Sequence, residues 1–507
     1  MLAKALTCAA IGLGGSIIEV EVDISPGLPV FTIVGLPDTA VQEAKDRVRA
    51  AIRNSGYTFP MKRITVNLAP ADIKKAGPAY DLPIAIGILL SSEQILVDAS
   101  KKVFLGELSL DGAIRHTHGI LPMVALAREN GITEVFVPAE DADEAALIEG
   151  VTVMPVTSLT QLAAHFRGEA TMTEHPKNTL PLTDPAASSQ WLDLAHIKGQ
   201  EHAKRALEIA AAGGHNMLMA GPPGSGKTML ARSLPSILPT LTFAEALELT
   251  KIYSVSGLLG KDTPIINHRP FRSPHYTISH AGLIGGGTIP RPGEISLSHR
   301  GVLFLDELPE FNRIALESLR QPLEDKVVTI SRAHGSITYP ANFMLVSAMN
   351  PCPCGYYGDP VKECKCSTGE IVRYQKKISG PLLDRIDIFI EVPRVEYDKL
   401  TDDTLGESSV IVQKRIEAAR QKQLNRFKET KLTCNADMTP LEVKKFCQVE
   451  PQTQALLRTA MKQLQLTARA FHRILKLSRT IADLDNSDNI KTNHLAEALQ
   501  YRPRPVI

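Results

Sequence analysis

The sequence has no surplus of charge of either sign: 56 Lys+Arg stand against 55 Asp+Glu, for a net charge of +1 over 507 residues. That balance excludes a protein that coats nucleic acid through global charge, so any DNA contact has to come from local loops. No apolar run reaches the roughly 18 residues needed to span a membrane, and no membrane partner is expected. A signal peptide is also missing from the reading: Lys4 is a lone cation, and the apolar stretch after it soon meets the acidic alternation Glu19-Val-Glu-Val-Asp23. A cytoplasmic protein is expected. Cysteine is sparse, seven residues, and four of them fall between Cys352 and Cys366, so a secreted disulfide framework is excluded. No internal repeat is apparent.

What is present is ordinary for a soluble globular chain: 44% hydrophobic and 22% charged residues. At roughly 150 residues per domain the length allows about two to four domains. Residues 1–168 read as mixed α/β. Ser16–Asp23 alternates apolar and polar residues as a half-buried strand does; Val30–Val34, Ile64–Leu68, Val103–Gly106 and Glu134–Pro138 are further strands. Ala40–Ser55 has helical spacing, and Leu82–Leu90 is a strongly apolar helix. Residues 169–190 carry Thr, Pro, Ser and Asn without periodicity and read as a linker. A second α/β block covers 191–400. A helical block covers 401–507, with helices expected at Val410–Phe427, Pro451–Leu464, Ala468–Leu484 and His494–Tyr501.

The chemistry is most legible in Gly221-Pro222-Pro223-Gly224-Ser225-Gly226-Lys227-Thr228, which fits G-x-x-x-x-G-K-[ST]. The apolar strand Met217–Ala220 precedes it, and a helix starting at Met229 follows. Glycines let backbone amides converge on phosphates, and the helix N-terminus adds a favourable dipole. The pattern predicts ATP as cofactor, with Lys227 on the β/γ-phosphates and Thr228 on Mg²⁺. The apolar strand Gly301–Leu305 runs into Asp306 and Glu307, a Walker B arrangement in which Asp306 holds the Mg²⁺ shell and Glu307 activates water. A third apolar strand, Asn342–Met349, ends in Asn350, whose amide is suited to position that water.

These pieces, with Ile197-Lys-Gly-Gln200, Phe271–Ser279, Gly285–Glu294, Asn350-Pro-Cys-Pro-Cys-Gly355 and Gly380–Asp387, resemble the AAA+ superfamily, its magnesium-chelatase-like members, and most closely the ComM/YifB competence-protein family. The resemblance implies a P-loop α/β domain with a helical lid. It implies that Arg385, in Leu382-Leu-Asp-Arg385, is an arginine finger reaching the γ-phosphate of a neighbouring subunit. It implies a sensor-2 role in cis for Arg469, with Arg473 as second choice, and self-association into a ring, commonly a homohexamer. Val327–Pro340 reads as a β-hairpin and resembles the pre-sensor-1 hairpin of chelatase and replicative-helicase clades. The stretch 269–291 takes the place of the helix-2 insert. Basic residues on such loops, Arg269, Arg272, His275, Arg332 and His334, with His280 and Arg291, are the expected DNA contacts, of a sequence-independent, phosphate-directed kind.

Cys352-Pro-Cys354 and Cys364-Lys-Cys366 can close a tetrahedral zinc site; the alternative is a reduced, metal-free loop that orders on contact with DNA or a subunit. In the N-terminal block, Lys74–Asp81 and Gly106–Gly112 resemble the catalytic domain of Lon proteases, of the ribosomal S5 domain 2-like fold. The positions of the Lon Ser/Lys dyad are taken by Ala79 and Met123, so proteolysis is expected to be lost. Ser109 is an alternative nucleophile without motif support. The accessory domain of the RadA recombination ATPase is similar, which favours DNA work. The leading expectation is an ATP-driven ring motor moving DNA, a branch-migration helicase for recombination of incoming DNA. The alternatives are a chelatase-type motor serving Mg²⁺ insertion into porphyrin, against which the Lon-like domain counts, and an ATP-dependent protease.

Overall fold

The computed structural model describes residues 2–75, 77–176, 191–260, 263–287, 290–332, 335–396, 398–399, 405–430, 432–463 and 466–502. The chain divides into two compact units, one of Met1–Pro181 with Phe243–Ile266, the other of Leu182–Thr242 with Asn267–Ile507.

In the first unit, strands β1 (Leu2–Ile11), β2 (Gly14–Ser25), β3 (Val30–Val34), β4 (Arg63–Ala69), β5 (Lys102–Phe104), β6 (Glu134–Pro138) and β7 (Thr152–Val156) form one mixed sheet in the order β3-β4-β2-β1-β5-β6-β7. The alternation read in the sequence is realised in β2: Ile18, Val20 and Val22 are buried, while Glu19 and Glu21 turn outward to pair with Lys4. The helix Thr39–Asn54 starts where the Asp38 carboxylate accepts from the Val41 amide, and it buries Val41, Ala44, Val48, Ala51 and Ile52. The helix Asp81–Ser91 is apolar all round and buried all round. It comes so close to the sheet that a Cβ on Gly87 would stand 2.5 Å from a Val22 methyl carbon.

Three features depart from the sequence reading. Leu2–Ile11 is a strand, although its alanine-rich composition carries little β signal; pairing with β2 on one side and β5 on the other supplies what propensity lacks. The helix Phe243–Ser256 belongs to the first unit, although it lies inside the stretch assigned to the ATPase block. It is fastened there by Ser254, whose hydroxyl donates to Glu144 at 2.6 Å; the same carboxylate accepts from the Leu121 amide at 2.8 Å. Residues 169–176, expected as linker, lie against the first unit: Met172 is buried, and the His175 amide donates to the Val153 carbonyl. The rest of the expected linker, 177–190, lies outside the described residues.

In the second unit, β8 (Met217–Ala220), β9 (Phe271–Arg272), β10 (Val302–Leu305), β13 (Met344–Met349) and β14 (Ile388–Glu391) form a parallel sheet in the order β9-β10-β13-β8-β14; β11 (Val327–Arg332) and β12 (Gly335–Pro340) pair as a separate antiparallel hairpin. β10 and β13 are buried along their whole length, as unbroken apolar runs in a parallel sheet should be. A mixed α/β unit with this sheet is consistent with an AAA+ type domain. Helices beyond residue 400 pack into the same unit. Ile416 and Ala419 from the helix Ser409–Arg426, Ile474 and Ile481 from Ala468–Leu484, and Leu495 share one hydrophobic core with Met217, Val346 and Ile388 of the sheet. No described helix is long and apolar enough to cross a membrane.

Burial pushes the Glu144 carboxyl up to about 7, with the Ser254 hydroxyl and Leu121 amide pulling the other way. A folded value above the unfolded one favours the fold below about pH 4.5, and that contribution is lost as pH rises through about 7. Unfolding followed from pH 5 to pH 8 should therefore show wild type losing stability relative to Glu144→Gln, by up to about 3 kcal/mol. A constant difference across that range would refute the assignment.

Candidate functional site

The P-loop joins β8 to the helix Lys227–Ser233. Gly221 has no room for a side chain, since a Cβ there would meet the Val392 carbonyl oxygen at 2.2 Å; Gly224 and Gly226 take left-handed φ of +77° and +92°. Pro222, Pro223 and Ser225 complete the turn, with the Ser225 side chain buried and Met229 exposed just after it. The Lys227 ammonium lies in the cradle, donating to the carbonyls of Gly221 and Pro222 at 2.8 Å each and standing 3.4 Å from Asn350 Oδ1. Burial lowers its pKa, and the carboxylates of Asp306 and Glu307 oppose that shift.

The Thr228 hydroxyl donates to Asp306 at 2.8 Å. Both are hard oxygen donors of the type Mg²⁺ takes, so the donor set fits that ion, which Thr228 and Asp306 would hold. Glu307 follows in a left-handed conformation, φ +53°, with its amide donating to Asp306 Oδ1 at 3.0 Å. A non-glycine residue there is strained. The Glu307 side chain is exposed while Asp306 stays half-buried. Four residues predicted from three separate strands, Lys227, Asp306, Glu307 and Asn350, thus meet at the C-terminal ends of β8, β10 and β13. The arrangement can bind a nucleoside triphosphate and align water against its terminal phosphate.

Arg385 is elsewhere. β14 runs parallel to β8, with Met217 opposite Ile388 and Ala220 opposite Glu391, so Arg385 precedes β14 at the N-terminal ends of the strands. The paired length alone spans about 10 Å at ~3.3 Å per residue, and the P-loop lies beyond it. The Arg385 guanidinium donates to the carbonyls of Arg320 and Pro381 and pairs with Glu324, beside a cavity of about 510 Å³. Arg469 shares that end: its guanidinium is 3.9 Å from Glu324. Arg473 donates to the Ile386 carbonyl at 3.1 Å and stands 3.7 Å from Asp387. The cis sensor-2 placement of Arg469, and of Arg473, is therefore corrected: helix Ala468–Leu484 starts against the segment that carries Arg385.

The loop residues divide. Arg269 gives its guanidinium to the carbonyls of Pro239, Thr240 and Arg300, and Arg272 makes a bidentate pair with Glu294 at 2.6 Å. Both guanidiniums, expected as DNA contacts, are thus bonded within the fold. His275 is exposed, within 2.9 Å of the Thr277 hydroxyl, and its ring centroid lies 4.2 Å from that of exposed Tyr276. The hairpin forms as expected, and the Tyr339 hydroxyl ties it to the Pro290 carbonyl at 2.9 Å, beside the insert. His334 and the Arg332 side chain lie outside the described residues.

The cysteines converge. Cys352, Cys354, Cys364 and Cys366 offer sulfur atoms all within 4.8 Å of one another, with three of the separations between 3.4 and 3.7 Å. Amides of Tyr356 and Lys365 bring the Cys354 thiol down to about 6, which favours its thiolate. The cluster could hold a metal. In the first unit, Ala79 and Met123 are buried, and Ser109 closes a turn by bonding Asp111 and the Ala113 carbonyl. None of the three is arranged as a nucleophile.

Two positioning residues carried no signal of their own in the sequence. The Asn216 amide donates to the Arg385 carbonyl and accepts from the Leu345 amide, both at 2.9 Å. Gln200 donates to the Pro393 carbonyl at 2.5 Å beside the P-loop. Only the string around Gln200 pointed to it.

Three family models match: magnesium chelatase, subunit ChlI, over 193–400; subunit ChlI of Mg-chelatase over 20–141; and the ChlI C-terminal model over 406–502. The chain is 45% identical to the uncharacterized protein YifB of Escherichia coli (strain K12), covering 98% of this chain and 96% of that one. It is 44% identical to the competence protein ComM of Haemophilus influenzae, covering 99% and 97%. The chain belongs to the ComM/YifB family of magnesium-chelatase-like proteins. A partial likeness to Lon protease 2 of Bacillus subtilis, 31% identity over 170 residues, covers 31% of this chain. The ChlI model over 20–141 removes one argument made from sequence, since a Lon-like N-terminal domain no longer counts against a chelatase relationship.

Lys227→Ala should reduce ATP turnover at least about 100-fold through lost phosphate contact. Glu307→Gln should keep nucleotide affinity within a few-fold and lower turnover by about 10² to 10⁴. A steady-state phosphate-release assay paired with a nucleotide-binding titration separates the two.

Proposed function

We propose that this chain is an ATP-hydrolysing ring motor that moves DNA, promoting branch migration when incoming DNA recombines in the cytoplasm. The observation that carries the ring is the separation of the site's two halves. The phosphate cradle stands at the C-terminal ends of the parallel strands and Arg385 at their N-terminal ends. A subunit that needs an arginine at its γ-phosphate must take it from a neighbour, and a closed ring, of which a homohexamer is one form, supplies one neighbour per site. Arg469 travels with Arg385 on this reading and meets the same nucleotide in trans.

DNA as the cargo is supported by the hairpin lying beside the insert, by exposed His275, His280 and Arg291, and by the name competence protein carried by the 44% identical relative. The DNA contacts are then fewer than the sequence suggested, because Arg269 and Arg272 are committed within the fold. His275, Arg332 and His334 remain in that role. A chelatase-type motor is the second reading, favoured by the three family models that carry the chelatase name. The four cysteines complete the proposal as a structural zinc site. A ZnS₄ tetrahedron with Zn–S of ~2.3 Å has edges of about 3.8 Å, near the sulfur separations observed.

On a labelled four-way junction, the protein should move the branch with ATP, and Lys227→Ala should not; turnover indifferent to every DNA, with no junction moved, sinks the DNA reading. Arg385→Ala and Glu307→Gln should each be inactive, by about 10³ or more for the finger, while mixed rings recover part of the activity. No recovery refutes the shared site. Elemental analysis should find about one zinc per chain, lost in Cys352→Ser; metal-free unmutated protein refutes the zinc.

A further inference from the structure

We infer that the metal held by the four cysteines braces the nucleotide site, so that ATP affinity depends on it. The inference rests on the zinc and ATP readings above. β13 ends at Met349; Asn350 stands 3.4 Å from the Lys227 ammonium, and Cys352 follows only two residues later. The side chain of Cys352 is fully buried. Between them the Pro351 carbonyl accepts from Gln375 at 3.1 Å. The sensor amide is thus fixed by strand hydrogen bonds on one side and by the cysteine loop on the other.

The loop also touches the P-loop itself. Gly355 has φ +84°, and its amide donates to the Cys352 carbonyl at 3.0 Å. A Cβ on Gly355 would stand 2.6 and 2.8 Å from the Pro223 ring, so its backbone lies directly on that proline. Farther along, Asp359 pairs with Arg394 at 2.9 Å, one residue beyond Pro393, whose carbonyl Gln200 holds. The loop is therefore fastened at the sensor, at the P-loop and just past the end of β14.

What orders it is the question of cost. From Asn350 to Ser367 there is no helix or strand. Ordering backbone costs about 1–2 kcal/mol per residue, and apart from Cys352 little here is buried against the core. A metal cross-link offsets that cost by tying four points of the segment together. Without it the contact of Gly355 on Pro223 loses its support, and the cradle loses one wall.

The test uses the full chain as purified, the same chain stripped with a chelator, and the stripped chain given Zn²⁺ again. The readouts are zinc per chain, far-ultraviolet circular dichroism and the Kd of a fluorescent ATP analogue. The expected result is a Kd raised at least tenfold on stripping and restored by Zn²⁺, with helical signal kept. Zinc-loaded and stripped protein binding within twofold of each other overturns the brace and leaves the zinc reading standing. A purified chain without metal overturns both, and one that binds no analogue overturns the ATP reading. Should the stripped chain precipitate, Arg394→Ala tests the same fastening with all four thiols in place. It should retain zinc and raise Kd severalfold; an unchanged Kd overturns the brace.

Discussion

The parallel sheet of the second unit gives every strand the same direction, and the placement of the chemistry follows from that. All C-terminal ends lie on one edge, where the P-loop, Asp306, Glu307 and Asn350 gather from β8, β10 and β13. Everything that enters a strand lies on the opposite edge, and Arg385 enters β14. A side chain on one edge cannot serve a phosphate on the other within the same subunit. The proposed ring joins this strand polarity to the arginine-finger role that the family resemblance implies for Arg385.

The edge that carries Arg385 is held by buried polar groups. Asn216, just ahead of β8, bonds both the Arg385 carbonyl and the Leu345 amide of β13, so the segment that carries Arg385 is tied to two strands of the sheet. Behind it, His215 bridges the Thr480 hydroxyl at 2.8 Å and Asp387. Burial works against ionisation of Asp387, but the His215 hydrogen bond and the Arg473 charge hold its carboxyl well below the usual range. Such a network ties strand order and the start of helix Ala468–Leu484 to the position of one arginine. It is costly to leave half-made, because a buried polar group without its partner loses its hydration for nothing.

Local motifs were legible because their chemistry needs contiguous residues. Gly221–Thr228 must be one loop, Asp306 and Glu307 must end one strand, and two C-x-C pairs bring their own thiolates near each other. The apolar runs of β10 and β13 gave their strands for the same reason. Residues whose role depends on what lies across the fold were misread or invisible. Arg269 and Arg272 look like free cations in a glycine-rich stretch, and only the folded chain brings Pro239, Thr240, Arg300 and Glu294 to them. Leu2–Ile11 has little propensity to be a strand, and Phe243–Ser256 carries no mark of the unit it joins.

The sequence by itself determined that a glycine-rich P-loop, an acidic pair at the tip of one strand and an amide at the tip of another occur in the order of a P-loop ATPase motif set, and that four cysteines are spaced to meet. Those are facts of short range, set by the reach of a turn or the tip of a strand. The tertiary structure alone decided on which edge each basic residue stands. It moved Arg469 away from the P-loop edge, spent Arg269 and Arg272 inside the fold, and laid Gly355 on Pro223. Those outcomes depend on strand order and helix packing between residues tens to hundreds of positions apart, which no local pattern encodes.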